Sequence, residues 1–119
     1  MGIRFSGINI MATDPVRTFA FYEGIGLPVQ ERESPDSEWY GATFRLTEGE
    51  KPAVLWIWRH HEGDPKPQNL IVINCEDMDA TYAMLKERGY AVEPPVMQFY
   101  GGREMQLSDP DGNHILFLD

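Results

Sequence analysis

The sequence has few of the features that mark secreted, membrane-spanning or nucleic-acid-binding proteins. Its single cysteine, Cys75, cannot form an internal disulfide, whereas small secreted domains are commonly cross-linked by several. No apolar run approaches the roughly 18 residues of a membrane span. Lys and Arg number 10 against 19 Asp and Glu, so the formal charge of −9 lacks the basic excess that phosphates or an anionic membrane would attract. We therefore expect a cytoplasmic protein that binds neither nucleic acid nor membrane.

The composition that is present suits one globular domain. The chain has 119 residues, of which 42% are hydrophobic and 12% aromatic. A domain of this size buries enough apolar surface to fold without a metal or a disulfide. The negative charge either favours cationic partners or serves solubility alone, and composition does not decide between these two readings.

Apolar patterns in the first half predict one strand, one helix and three further strands. The first strand runs from Ile3 to Ala12, and Thr13-Asp14-Pro15 begins the helix with an N-cap and a proline in its first turn. Gly24-Ile25-Gly26 ends that helix. The further strands are predicted at about 27–33, 39–46 and 53–58. A polar segment with two prolines, residues 59–68, is typical of a linker.

The second half repeats this order, which indicates an internal repeat. A helix from about Met78 to Arg88 begins after Asp77, and an offset of 63 residues superposes Asp14 on Asp77. The predicted strands lie at 70–75, 91–93, 103–108 and 114–118. We expect a single domain, 1–119, built from two βαβββ modules at about 1–62 and 66–119. A helix covers one face of each sheet, so the other face needs a partner or forms a pocket.

Three segments are typical of one protein family. They are Asp14 to Leu27, Asp77 to Gly89, and Tyr100 to Asn113 with its Asp109-Pro110-Asp111-Gly112-Asn113 turn. Together they resemble the vicinal oxygen chelate superfamily, which includes glyoxalase I, extradiol dioxygenases and bleomycin-resistance proteins. The resemblance implies an α+β fold in which the mixed sheets of two modules curl into a cup that homodimerisation completes.

The same resemblance implies where a metal would bind. Metal-dependent members use a His on the first strand and a Glu on the last strand of a module. The matching positions here are Gly7 and Leu70 for the His, and Trp56 and Leu116 for the Glu. None of these side chains is a metal ligand. We therefore predict a cup without metal, cofactor or catalytic residues.

Aromatic and amide side chains remain on the predicted inner face of the cup. Trp56 and Trp58 alternate along one strand and share a face, where they would either stack on a planar or cationic ligand or fill a core. The side chain of Arg103 could pair either with a ligand carboxylate or with an internal acidic residue, and the sequence does not decide between them. The predicted ligand-binding residues are Asn9, Met11, Trp39, Trp56, Trp58, Asn74, Tyr100, Arg103 and His114.

These features favour a small-molecule-binding protein over an enzyme. Like the bleomycin-resistance proteins that it resembles, it would sequester an aromatic or cationic compound, which requires affinity but no transition-state chemistry. Two alternatives stay open. One is a glyoxalase-type lyase or isomerase with an atypical site, which would need a metal. The other is a structural or regulatory dimer whose own aromatic side chains fill the cup.

Overall fold

Two helices and eight strands form the described part of the chain. The computed structural model describes residues 5–34, 36–39, 41–64 and 69–119. The element order is β1-α1-β2-β3-β4-β5-α2-β6-β7-β8, and it divides between two compact units, residues 1–67 and 68–119. Each unit has one helix and one mixed four-stranded sheet, so the predicted α+β fold is confirmed. Neither helix in these ranges is long and apolar enough to cross a membrane.

The first unit contains the predicted strand–helix–three-strand order. Its elements are β1 (Gly7–Ala12), α1 (Pro15–Gly24), β2 (Val29–Glu31), β3 (Ala42–Arg45) and β4 (Val54–Arg59). The sheet order is β1-β4-β3-β2, with β1 parallel to β4 and the other pairs antiparallel. Asp14 caps α1 as predicted, because its side chain accepts a hydrogen bond from the N–H of Arg17 at 3.2 Å. The predicted start of the first strand, Ile3, lies outside the described residues.

Strand alternation places the core of the first unit on one face of its sheet. Ile10, Phe44 and Leu55 are fully buried. The ring of Phe44 packs against two rings of α1, with its centroid 4.6 Å from that of Phe19 and 6.1 Å from that of Tyr22. Residues of opposite parity on β1, β3 and β4 therefore lie on the face away from α1. That face carries the candidate site described below.

The second unit repeats the arrangement. Its elements are β5 (Leu70–Asn74), α2 (Met78–Glu87), β6 (Val96–Met97), β7 (Arg103–Ser108) and β8 (His114–Leu118), in the sheet order β5-β8-β7-β6. The turn between β7 and β8 is held by Asn113, which is fully buried. Its amide donates to Asp109 at 2.8 Å and accepts the N–H of Asn69 at 2.9 Å. These hydrogen bonds explain why the turn contains Asp109 and Asn113.

One strand lies later in the chain than the sequence predicts. The predicted strand at 91–93 is wrong, because β6 spans Val96–Met97 and pairs with β7 through Glu104 and Arg103. Prolines have no N–H to donate to a ladder. The paired strand therefore begins only after Pro94 and Pro95.

Gly7 determines how closely β1 approaches β4. Its φ of 143° lies in a region that residues with side chains rarely adopt. A Cβ added to Gly7 would lie 1.9 Å from the carbonyl oxygen of Val54, its partner in the parallel ladder. The two strands can adopt this spacing only because position 7 has no side chain.

We predict that Gly7→Ala destabilises the protein by roughly 2–4 kcal/mol, since both the backbone conformation and the ladder spacing must change. Gly49→Ala is the matched control. Gly49 also has a positive φ, 106°, but nothing lies within 4 Å of its added Cβ, so we expect a loss of roughly 1–2 kcal/mol. Urea unfolding followed by tryptophan fluorescence measures both variants. Equal losses would contradict the proposed contact with Val54.

Candidate functional site

A cavity of about 350 Å³ opens on the first unit. This volume lies at the lower end of the roughly 300–1,000 Å³ that is typical of small-molecule sites. Strands β2, β3 and β4 supply most of the lining, and the rest comes from the turn before β4 and from Ser6, which precedes β1. The lining includes Glu31, Thr43, Glu50, Lys51, Val54 and Trp56.

One row of side chains crosses the whole sheet at this cavity. Thr43 is the ladder partner of Trp56, and Trp56 is the partner of Asn9. Glu31 pairs with Thr43 just after a register shift in β2, and it lines the same cavity. Ladder partners present their side chains on the same face of a sheet. The row therefore places a carboxylate, a hydroxyl, an indole and an amide side by side on the face away from α1. We call these four residues the cross-strand row, and its first three members line the cavity.

Two tryptophans occupy this face along β4. The ring centroids of Trp56 and Trp58 are 5.6 Å apart at an interplanar angle of 52°, and both side chains are half-buried. Trp56 lines the cavity, whereas Trp58 and its ladder partner Met11 continue the same face beyond the lining. A half-buried indole next to open space provides an apolar plane on which a ligand ring can stack.

Thr43 is the polar group deepest in this site. The residue is 4% exposed, and its Oγ1 has no hydrogen-bond partner among the described residues. Leaving a buried hydroxyl unpaired costs about 1–3 kcal/mol. The residues predicted from the sequence do not include Thr43, although one signal was available. Thr43 alternates with the apolar residues Ala42 and Phe44, which places it on the opposite face of its strand.

Charged side chains at the cavity give it a negative excess. Glu31 and Glu50 supply two carboxylates, and Lys51 supplies one ammonium group. The lining thus has one more negative than positive charge at neutral pH, with the whole chain at −9. Such a site attracts cationic ligands more strongly than anionic ones.

The structure does not bring Trp39 to the cavity. Its side chain is 3% exposed, and its ring centroid lies 5.7 Å from that of Phe19 on α1. The backbone reaches this position through a left-handed conformation, with a φ of 62°, and the N–H of Trp39 donates to the hydroxyl of Ser37 at 3.0 Å. Trp39 is thereby placed in the core of the first unit.

Four predicted ligand-binding residues lie in the second unit, at separate places. Asn74 and His114 are exposed at opposite ends of the β5–β8 ladder, where Asn74 pairs with Leu118 and His114 with Leu70. Tyr100 lies in the turn between β6 and β7 and is 53% exposed. Its hydroxyl donates to the carboxylate of Glu104, which raises the pKa of Tyr100 to about 12.

Arg103, the fourth of these residues, has internal acidic partners. Its guanidinium donates to Asp79 at 2.8 Å and to Asp119 at 3.0 Å. The hydrogen bond from Arg103 lowers the pKa of the Asp79 carboxyl below its usual value. The sequence left open whether Arg103 pairs with a ligand carboxylate or with an internal acidic residue. The structure shows the internal acidic partners. The bridge joins the first turn of α2 to the residue after β8.

The side chains present do not fit the metal site that the family resemblance implies. The four expected ligand positions hold Gly7, Trp56, Leu70 and Leu116, which offer no donor atoms for a divalent ion. At Gly7 the backbone of Val54 leaves no room even for a Cβ. Across the described ranges, no three His, Cys, Asp or Glu side chains come together in a group that could hold a metal ion.

Similarity to known proteins extends over almost the whole chain. The family model described as "Glyoxalase/Bleomycin resistance protein/Dioxygenase superfamily" matches residues 4–117. Comparison with curated proteins gives no significant match.

Among solved structures, TnmS3, an antibiotic binding protein from Streptomyces sp. CB03234, is 25% identical with a TM-score of 0.72, over 98% of this chain and 96% of that one. A superfamily member from Sphaerobacter thermophilus DSM 20745 is 24% identical with a TM-score of 0.71, over 98% and 97% of the two chains. A bleomycin-binding protein complexed with bleomycin is 23% identical with a TM-score of 0.66, over 98% of each.

The similarity to the Sphaerobacter thermophilus protein and to the bleomycin-binding protein shows the fold. The family model spans nearly all of the sequence and shows the family. The protein is therefore a member of the glyoxalase/bleomycin resistance protein/dioxygenase superfamily.

Proposed function

We propose that this protein binds an aromatic or cationic small molecule in the cavity of its first unit, without a metal, and acts by sequestering it. The observation that carries the proposal is Trp56. Where the family resemblance implies a metal-binding Glu, the chain has a half-buried indole that lines a cavity of about 350 Å³. Together with the carboxylates of Glu31 and Glu50, this indole suits a planar cation.

The relatives support the same class of ligand. TnmS3 is an antibiotic binding protein, and another structural neighbour is a bleomycin-binding protein complexed with bleomycin. Sequestration of a toxic compound of this kind would confer resistance through affinity alone, so an aromatic cavity without metal ligands is sufficient. A cytoplasmic location and a homodimer stay predictions of the same account.

Calorimetric titration with bleomycin and with the planar cation proflavine tests this proposal, in buffer with excess EDTA. We expect saturable binding of at least one compound and a loss of affinity of about tenfold in Trp56→Ala, because the stacking surface is removed. Trp58→Ala is the matched control, since Trp58 lies on the same strand face outside the cavity lining. Its affinity should fall less than that of Trp56→Ala.

Three results would contradict the proposal. One is the absence of saturable heat with both compounds, and a second is an unchanged affinity in Trp56→Ala. The third is proflavine binding that EDTA abolishes and a divalent metal restores, which would favour the glyoxalase-type alternative. Unfolding curves of both variants show whether each is folded at the temperature of the titration.

A further inference from the structure

The hydroxyl of Thr43 is buried without a partner in a place where packing does not require it. The side chain is 4% exposed and Oγ1 has no hydrogen-bond partner within the part of the chain that the structure describes. Valine has nearly the same shape and would fill the same volume without an unpaired polar atom. Packing within the described residues therefore does not account for a threonine at this position, whereas a hydrogen-bonding ligand in the cavity would.

The neighbours of Thr43 indicate what that partner is. In the cross-strand row, Thr43 lies between Glu31 on β2 and Trp56 on β4, and all three residues line the cavity. Side chains of adjacent ladder partners have Cβ atoms about 4.5–5.5 Å apart. One small polar group can therefore reach the hydroxyl and the carboxylate together while an attached ring stacks on the indole.

The hydroxyl can turn towards such a group. Oγ1 itself is shielded, but rotation about χ1 exchanges it with the methyl group or the hydrogen among three staggered positions. A hydrogen bond to a bound group would offset the cost of this change of rotamer.

We propose that the cavity selects aryl compounds bearing a protonated amine or amidine, and that Thr43 recognises the N–H group by accepting a hydrogen bond from it. This inference rests on the proposed function and specifies its ligand class. A protonated amine or amidine offers several N–H donors, which Thr43 Oγ1 and the Glu31 carboxylate can accept together. A quaternary ammonium has the same charge without a donor. A carboxylate or phosphate would be repelled by Glu31 and Glu50.

The experiment compares two probes with the same ring and the same charge: 2-naphthylmethylamine as its ammonium ion, which has three N–H donors, and its N,N,N-trimethyl derivative, which has three methyl groups instead. Calorimetry measures the Kd of each for the wild type, Thr43→Val and Thr43→Ser. We expect the wild type to bind the ammonium ion about tenfold more tightly than the trimethyl derivative. Thr43→Val should lose about tenfold for the ammonium ion and nothing for the trimethyl derivative. Thr43→Ser should keep the preference, because it keeps the hydroxyl.

Urea unfolding of Thr43→Val provides a second readout. Because the substitution removes an unpaired buried hydroxyl, its unfolding midpoint should equal or exceed that of the wild type. A clearly lower midpoint would show that the hydroxyl has a structural partner and would overturn the inference.

The failures of the inference and of the proposed function are distinguishable. Equal affinity of the wild type for the two probes, or an equal loss for both in Thr43→Val, overturns the inference and leaves the proposed function standing. If neither probe binds while bleomycin or proflavine does, the inference alone is again overturned. If none of the four compounds binds, both are overturned.

Discussion

The parallel pairing of β1 with β4 is the constraint on which the candidate site depends. Gly7 faces Val54 so closely that no Cβ fits, and its lack of a side chain permits the register in which Asn9 lies beside Trp56. Side chains alternate along a strand, so a slip of one residue would turn the indole of Trp56 towards α1. The same register places Ile10 in the core. The register that this close contact permits thus separates the side chains of the core from those available to a ligand.

The two faces of the first sheet have separate roles. On the helix side, Phe44 packs with the rings of α1, and this apolar packing stabilises the unit. On the other side, the cross-strand row places polar groups and an indole next to each other, and the hydroxyl of Thr43 stays unpaired among the described residues. Local departures from stable packing are typical of functional sites, where stability is given up for recognition.

Much of this arrangement could be predicted from the sequence because it is local. The N-caps Asp14 and Asp77, the repeated strand–helix order and the parity of Trp56 with Trp58 all follow from short-range patterns. Contacts between distant segments could not be predicted. The loop after β2 returns Trp39 to the core through a left-handed residue, and only the ladder register places Thr43 beside Trp56.

The central claim is that the cross-strand row binds an organic cation without a metal. The most direct measurement is an NMR titration of isotope-labelled, EDTA-treated protein with proflavine. The account predicts saturable shifts of the Trp56 indole N–H, the Asn9 side-chain amide and the Thr43 methyl group, unchanged when Zn²⁺ or Ni²⁺ is added. Shifts confined to the second unit, or shifts that appear only after metal is added, would contradict it.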